Sequence, residues 1–200
     1  MHYVIKIPSN PDVAYCVESP GPAKSLRPGM FNRGLPVKEK LPPLSVTTDE
    51  DHGSRFLDAI PNQGLLFVIS KKLLDILNSL KLANIEAFPI IVKDYDSKRK
   101  HDYWVCNVVG LIPCLDRRRA DVVWEDDDPQ TIFLLRKMAL DELLIEAANK
   151  GRKAQECLKL FRLKEAPQFL IASEEIRKAV LEAGITGIEF RKPEEAGDLL

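Results

Sequence analysis

The chain is short of most things that chemistry needs. Its three histidines (His2, His52, His101) and four cysteines (Cys16, Cys106, Cys114, Cys157) are scattered across 200 residues. No C-x-x-C occurs and no two histidines stand at ligand spacing, so a zinc site is excluded and the cysteines read as buried thiols. No Gly-x-Gly-x-x-Gly or Walker-type loop occurs, which removes the usual glycine-rich phosphate cradle. No Gly-x-Ser-x-Gly elbow occurs, which removes the common serine-hydrolase arrangement. No cofactor or metal is expected. A surplus of charge is also missing: 29 basic against 30 acidic residues leave a net charge of −1. That balance argues against a general nucleic-acid binder, which needs excess cations to neutralise phosphates. No run approaches the ~20 apolar residues of a membrane helix, so no membrane association is expected. The N-terminus reads as a short strand rather than a charged and apolar leader, which points to a cytoplasmic chain.

What is present is a segment that occurs twice. Phe67-Val68-Ile69-Ser70 runs into residues 71–80 and ends at Ile85-Glu86. Leu170-Ile171-Ala172-Ser173 runs into residues 174–183 and ends at Ile188-Glu189, at a constant offset of 103 (173 − 70). Each copy reads as a buried strand, a serine-opened helix and a second strand. Leu73, Ile76, Leu77 and Leu80, and in the other copy Ile176, Ala179, Val180 and Ala183, place one helix face on a core. Ser70 and Ser173 stand where an N-cap hydroxyl is wanted. Gly184 suits a left-handed C-terminal residue; Lys81, in its place in the first copy, predicts a different ending there. Asn84 aligns with Gly187, and both tolerate a positive φ.

Around the copies, residues 2–18 suggest two strands about an Asn10-Pro11-Asp12 turn. Residues 19–64, broken by Pro20, Gly21, Pro22, Pro28, Gly29, Gly34, Pro36, Pro42 and Pro43, predict a long irregular arm with one short helix near 54–59. Strands at 85–92 and 103–109 form a hairpin about the polar 94–100 turn. Asn107 is the one polar residue of its strand, and a buried amide must be bonded, so it is expected to tie down a loop or strand end. Strands at 122–124 and 132–138 flank an acidic turn, a short helix covers 141–149 with its stop at 149–151, and 158–163 alternates like a strand. From Arg191 the chain reads as a frayed tail. The fold class is α+β, with mixed or antiparallel sheets, a few packed helices and two similar strand-helix-strand units. One domain over 1–200 is expected, the alternative being two lobes, 1–110 with the arm at 19–64, and 111–200.

Candidate chemistry is thin. His101-Asp102 is adjacent on a strand and so faces opposite sides. Ser70 and Ser173 are better caps than nucleophiles. Arg117, Arg118 and Arg119 read as surface ion-pairing residues. The Glu125, Asp126, Asp127 and Asp128 run lacks the spacing and glycine of a calcium loop. It reads first as a solvated turn and next as an acidic contact for a basic partner, as do Asp94 and Asp96. Tyr103 and Trp104 read as core before they read as interface anchors.

Several segments together resemble one family. They are residues 65–80, Asn107-Val108 in its strand, Leu115-Asp116-Arg117, and the closing Leu160-Phe161-Arg162-Leu163, Pro167, Phe169-Leu170-Ile171-Ala172-Ser173 and Ala183-Gly184-Ile185-Thr186-Gly187-Ile188-Glu189-Phe190. The pattern resembles a bacterial family, once a domain of unknown function, of immunity proteins from polymorphic toxin systems, with a myxobacterial prototype. The likeness spans roughly 60–190. It departs at Ala172, where a β-branched residue is expected, and at 146–156, which is longer and more charged. The resemblance implies a non-enzymatic cytoplasmic protein that binds and neutralises a cognate toxin domain, with no catalytic residue to carry over. The arm and the two charged turns are then the candidate contacts. The alternatives are an enzyme of unrecognised type, hydrolase or nucleic-acid-modifying, which predicts a pocket of converging polar groups, and a generic interaction adaptor.

Overall fold

The computed structural model describes residues 1–17, 29–124 and 132–196. In chain order its elements are β1 (His2–Lys6), β2 (Leu44–Thr47), β3 (Ala59–Ile60), β4 (Val68–Ile69), α1 (Lys71–Ser79), β5 (Ile85–Lys93), β6 (Lys100–Val108), β7 (Leu111–Ile112), β8 (Asp121–Trp124), β9 (Ile132–Lys137), α2 (Glu142–Asn149), β10 (Leu160–Leu163), β11 (Ala166–Ser173), α3 (Glu174–Glu182) and β12 (Glu189–Arg191). One sheet runs β2-β5-β6-β4-β3 and the other β12-β1-β11-β10-β7, while β8 and β9 form a separate two-stranded ribbon. The fold is α+β, with mixed sheets, as expected. β1 lies in the sheet otherwise built from residues after 110.

The two copies are strand-helix-strand units of a split kind. β4 and β5 are both antiparallel to β6, which lies between them. β11 and β12 are both antiparallel to β1, which lies between them. The registers coincide. Ile69 pairs Trp104 where its counterpart Ala172 pairs Tyr3, and Glu86 pairs Asn107 where Glu189 pairs Lys6. The N-terminal strand therefore occupies the place in the second unit that β6 occupies in the first. The likeness extends to β3 and β10: Ala59 pairs Ile69, and Leu160 pairs Ala172. The backbone bond from Ser70 N to Asp58 O, 2.7 Å, has its counterpart from Ser173 N to Lys159 O, 2.8 Å. The duplication is thus larger than the segment first seen, and its second copy is split between the two ends of the described chain.

The shared core forms where the units meet. Phe67 and Leu170, Ile69 and Ala172, Leu73 and Ile176, Leu77 and Val180, and Ala59 and Leu160 are corresponding residues buried in one cluster. At ~25 cal/mol per Å² of apolar surface, each large side chain buried there contributes on the order of 2 kcal/mol before conformational entropy is counted. The units also exchange turns. Asn84 Nδ2 donates to Leu160 O at 2.7 Å. Its counterpart Gly187 lies so close to Ala59 O, the matching carbonyl, that a Cβ would come within 2.3 Å.

Outside this core the units differ. The far face of the β2-β5-β6-β4-β3 sheet is covered by the arm, through Phe31, Met30, Val37 and Leu41. The far face of the other sheet is covered by the ribbon and α2, through Leu135, Val122, Trp124 and Ile145.

Several expectations are corrected. Ser70 caps α1, accepting from Leu73 N at 3.2 Å, but the Ser173 hydroxyl has no partner. Its backbone has the same cap geometry; the first helical N–H, Glu174 N, donates to Met1 O, and Glu174 and Glu175 supply negative charge in the first turn. Lys81 ends its helix as Gly184 does, with φ 52° against 60°. Asn84 keeps a negative φ, and only Gly187 of that pair is left-handed, at 82°. No helix forms near 54–59, because Asp58 and Ala59 are drawn into pairing with β4. The second early strand is reduced to isolated bridges, Val13 with Arg55 and Cys16 with Thr48 and Asn62. The C-terminal stretch is not frayed from Arg191: that residue lies in β12, a 3-10 turn follows at Pro193–Glu195, and Ala196 is buried. Cys157 is half-buried, whereas the other three thiols are buried.

Candidate partner-binding surfaces

The β5–β6 hairpin tip shows how local bonding spends charge. Asp94 is buried; its carboxylate accepts from Ser97 Oγ and from Asp96 N at 3.3 Å, closing the turn. Asp96 stays exposed among Lys93, Lys98, Arg99 and Lys100. Lys98 sits over the Tyr95 ring at 4.4 Å. Of the two carboxylates in the turn, only Asp96 faces solvent, on a tip whose neighbours are basic.

The ribbon carries the other candidate. Glu125, Asp126, Asp127 and Asp128 lie outside the described residues. The strands beside them are described. Phe133 is 68% exposed, and Arg117 stacks on Trp124 at 4.4 Å. Arg119 pairs with Asp116, as expected of surface arginines, and holds that carboxyl below its ordinary range. The helix that follows leaves Leu143, 74% exposed, and Leu144 uncovered.

The remaining sequence candidates go to structure. Tyr103 is buried and donates to Leu57 O at 2.8 Å, while Trp104 packs on the central core. Asn107 Nδ2 donates to Leu35 O at 2.9 Å and Glu86 Oε2 at 2.8 Å, which ties the arm to β6. His101 stacks on Phe56 at 3.8 Å, and Asp102 is exposed.

Two open clefts stand out among the described residues. One, of about 450 Å³, is lined by residues 5–7, Ser9, Tyr15, 61–62, 65–67 and 168–170, and its lining holds no carboxylate and no histidine. The other, of about 460 Å³, lies between the N-terminus, the end of β9 and the start of α2. There His2 Nδ1 is 2.7 Å from Glu142 Oε2, beside Arg119, Lys137 and Lys192, with no hydroxyl or thiol side chain in the lining. Among the described residues no cluster of three histidine, cysteine or acidic side chains could hold a metal, and no helix is long and apolar enough to cross a membrane.

The model of the Imm11 immunity protein family matches residues 11–195. The chain belongs to that family. No curated protein matches it. The match covers the first unit whole and the second except for β1, and with them the Arg162 that sequence reasoning passed over. Arg162 is fully buried on β10, donating to Phe31 O at 3.0 Å and Pro167 O at 2.8 Å. Burial, opposed by Cys106, pushes its pKa down to about 10, so it stays charged near neutrality. An arginine inside an apolar alternation was the available signal. It points to a polar group anchored by hydrogen bonds, because an unbonded charge there is too costly; Nη1 and Nη2 supply those bonds, while Nε is buried without a partner. This Imm11 protein thus fastens its arm to its core through a buried cation and a buried amide, Arg162 and Asn107.

Proposed function

We propose that this Imm11 protein is a non-enzymatic, cytoplasmic immunity protein that binds and neutralises the cognate toxin domain of a bacterial polymorphic toxin system. The observation that carries the reading is the family match over residues 11–195. One feature supports it: the outer surface presents exposed apolar side chains, notably Phe133, which follows the acidic run in sequence by five residues (133 − 128). Glu125, Asp126, Asp127, Asp128 and Asp96 are the proposed charged contacts, steering a basic surface of the toxin into place. Asp94 contributes by shaping the hairpin tip that presents Asp96. A standard interface of about 800 Å² per partner is required.

The test is co-expression with the C-terminal domain of the toxin encoded beside this chain. Growth is expected to be restored, and a complex of the two chains to co-purify. Continued toxicity with no complex would overturn the reading.

A further inference from the structure

The cleft at residues 5–7 has a counterpart in the other unit, and that counterpart is full. Across the pseudo-twofold, Ile5, Lys6 and Ile7 correspond to Cys106, Asn107 and Val108, and Phe67 corresponds to Leu170. Pro61 corresponds to Arg162, each being the second residue after the matched Ala59 and Leu160. In the filled half, the arm crosses at the Arg162 guanidinium, which donates to Phe31 O. The arm is held through its main chain. Phe31 O accepts from Arg162, Gly34 O from Gly110 N at 2.9 Å, Leu35 O from Asn107, and Val37 N donates to Glu86 at 3.0 Å. In the open half, Pro61 brings neither a guanidinium nor an N–H, and no segment among the described residues crosses residues 5–7. A cleft of about 450 Å³ is left.

The open cleft also carries a charge that no carboxylate in its lining answers. Lys6 stands where Asn107 stands, half-buried on β1; its cross-strand neighbour Glu189 is taken by Arg191, and Lys6 forms no ion pair among the described residues. Its neighbours in the lining are apolar or uncharged. A half-buried ammonium beside apolar walls favours a carboxylate more strongly than an exposed one does. At the rim, Leu65 is 58% exposed and held at φ 51°, a conformation unfavourable for a leucine.

We propose that this cleft receives an extended, carboxylate-bearing segment of the toxin, laid over β1 as the chain's own arm is laid over β6, with the carboxylate on Lys6 and an apolar side chain against Leu65. The inference rests on the immunity reading and names one place where the toxin sits.

The test uses the full chain and the toxin domain encoded beside it. A photoreactive p-benzoylphenylalanine replaces Gln168 on the cleft wall, and affinity is measured for Lys6→Glu and for Leu65→Asn, which tolerates the left-handed backbone. Expected are a cross-link to a toxin peptide containing Asp or Glu, and at least a tenfold loss of affinity for each variant with no fall in melting midpoint. A complex of undiminished affinity in both variants, with no cross-link at position 168, overturns the cleft and leaves the immunity reading standing. A cross-link to a second copy of this chain also overturns it. Failure of the unaltered chain to bind the toxin domain overturns both.

Discussion

The two units of this protein are alike inside and unlike outside. Inside, β4-α1-β5 with β6 and β11-α3-β12 with β1 share register, helix-end conformation and buried positions. Outside, one unit is covered by the arm and the other by the ribbon and α2. The difference separates two demands. A shared core fixes the geometry of both sheets and allows few substitutions, whereas outer faces can diverge without disturbing it. Toxins differ in shape and chemistry, so an immunity scaffold gains from a constant interior and a variable exterior.

The comparison can be broken hardest at Arg162. Arg162→Ala leaves a cavity and strands the Phe31 and Pro167 carbonyls, and should cost about 3–5 kcal/mol in urea unfolding. Pro61→Ala, its counterpart, should change stability by less than about 1 kcal/mol. The core pair should be matched instead: Leu73→Ala and Ile176→Ala should each cost about 2–5 kcal/mol, within about 1 of each other. A large inequality would show that one unit dominates the core.

The helix starts should behave differently. Ser70→Ala removes a cap and a 2.7 Å bond to Asp58 and should cost about 1 kcal/mol, whereas Ser173→Ala should be close to neutral. The helix ends invert the usual rule: Lys81→Gly relieves a left-handed lysine and should stabilise by about 0.5–1 kcal/mol in thermal unfolding.

The smallest effect concerns pH. Burial raises the Asp58 pKa, but bonds from Thr186 N and the Ser70 and Thr186 hydroxyls, with Lys72 nearby, outweigh it and hold the carboxyl below its ordinary value. A depressed folded pKa contributes stability that is present above the unfolded value, about 3.9, and is lost as pH falls through the folded one. Asp58→Asn should therefore flatten the acid limb of the stability–pH curve below about pH 4.

Much of this interior is legible in the chain. The helix stripes, the hairpin about 94–100 and the ribbon strands follow from periodicity and turn residues. Asp141 is seen to cap α2, accepting from Leu143 N and Leu144 N, where the pattern placed a helix. What is not legible is the permutation. Tyr3-Val4-Ile5-Lys6 and Trp104-Val105-Cys106-Asn107 share an aromatic-valine-apolar-polar pattern. One precedes its unit and the other follows it, so a constant offset cannot reveal the match. The missing Ser173 cap bond is not legible either, since the residues around Ser70 and Ser173 follow the same pattern while only Ser70 accepts from its helix. The site is less legible still. The open cleft arises from Pro61 standing where Arg162 stands in the other unit, which has meaning only once the halves are superposed. The acidic run is plain in sequence, but adjacency of charges does not say what they meet.

Hydrogen exchange on the complex with the cognate toxin domain tests the central claim most directly. Matched interior and divergent exterior predict new protection at residues 61–67 and 168–170, around the open cleft, with exchange in α1 and α3 unchanged. Protection gained along α1 and α3, with none around the cleft, would contradict the account.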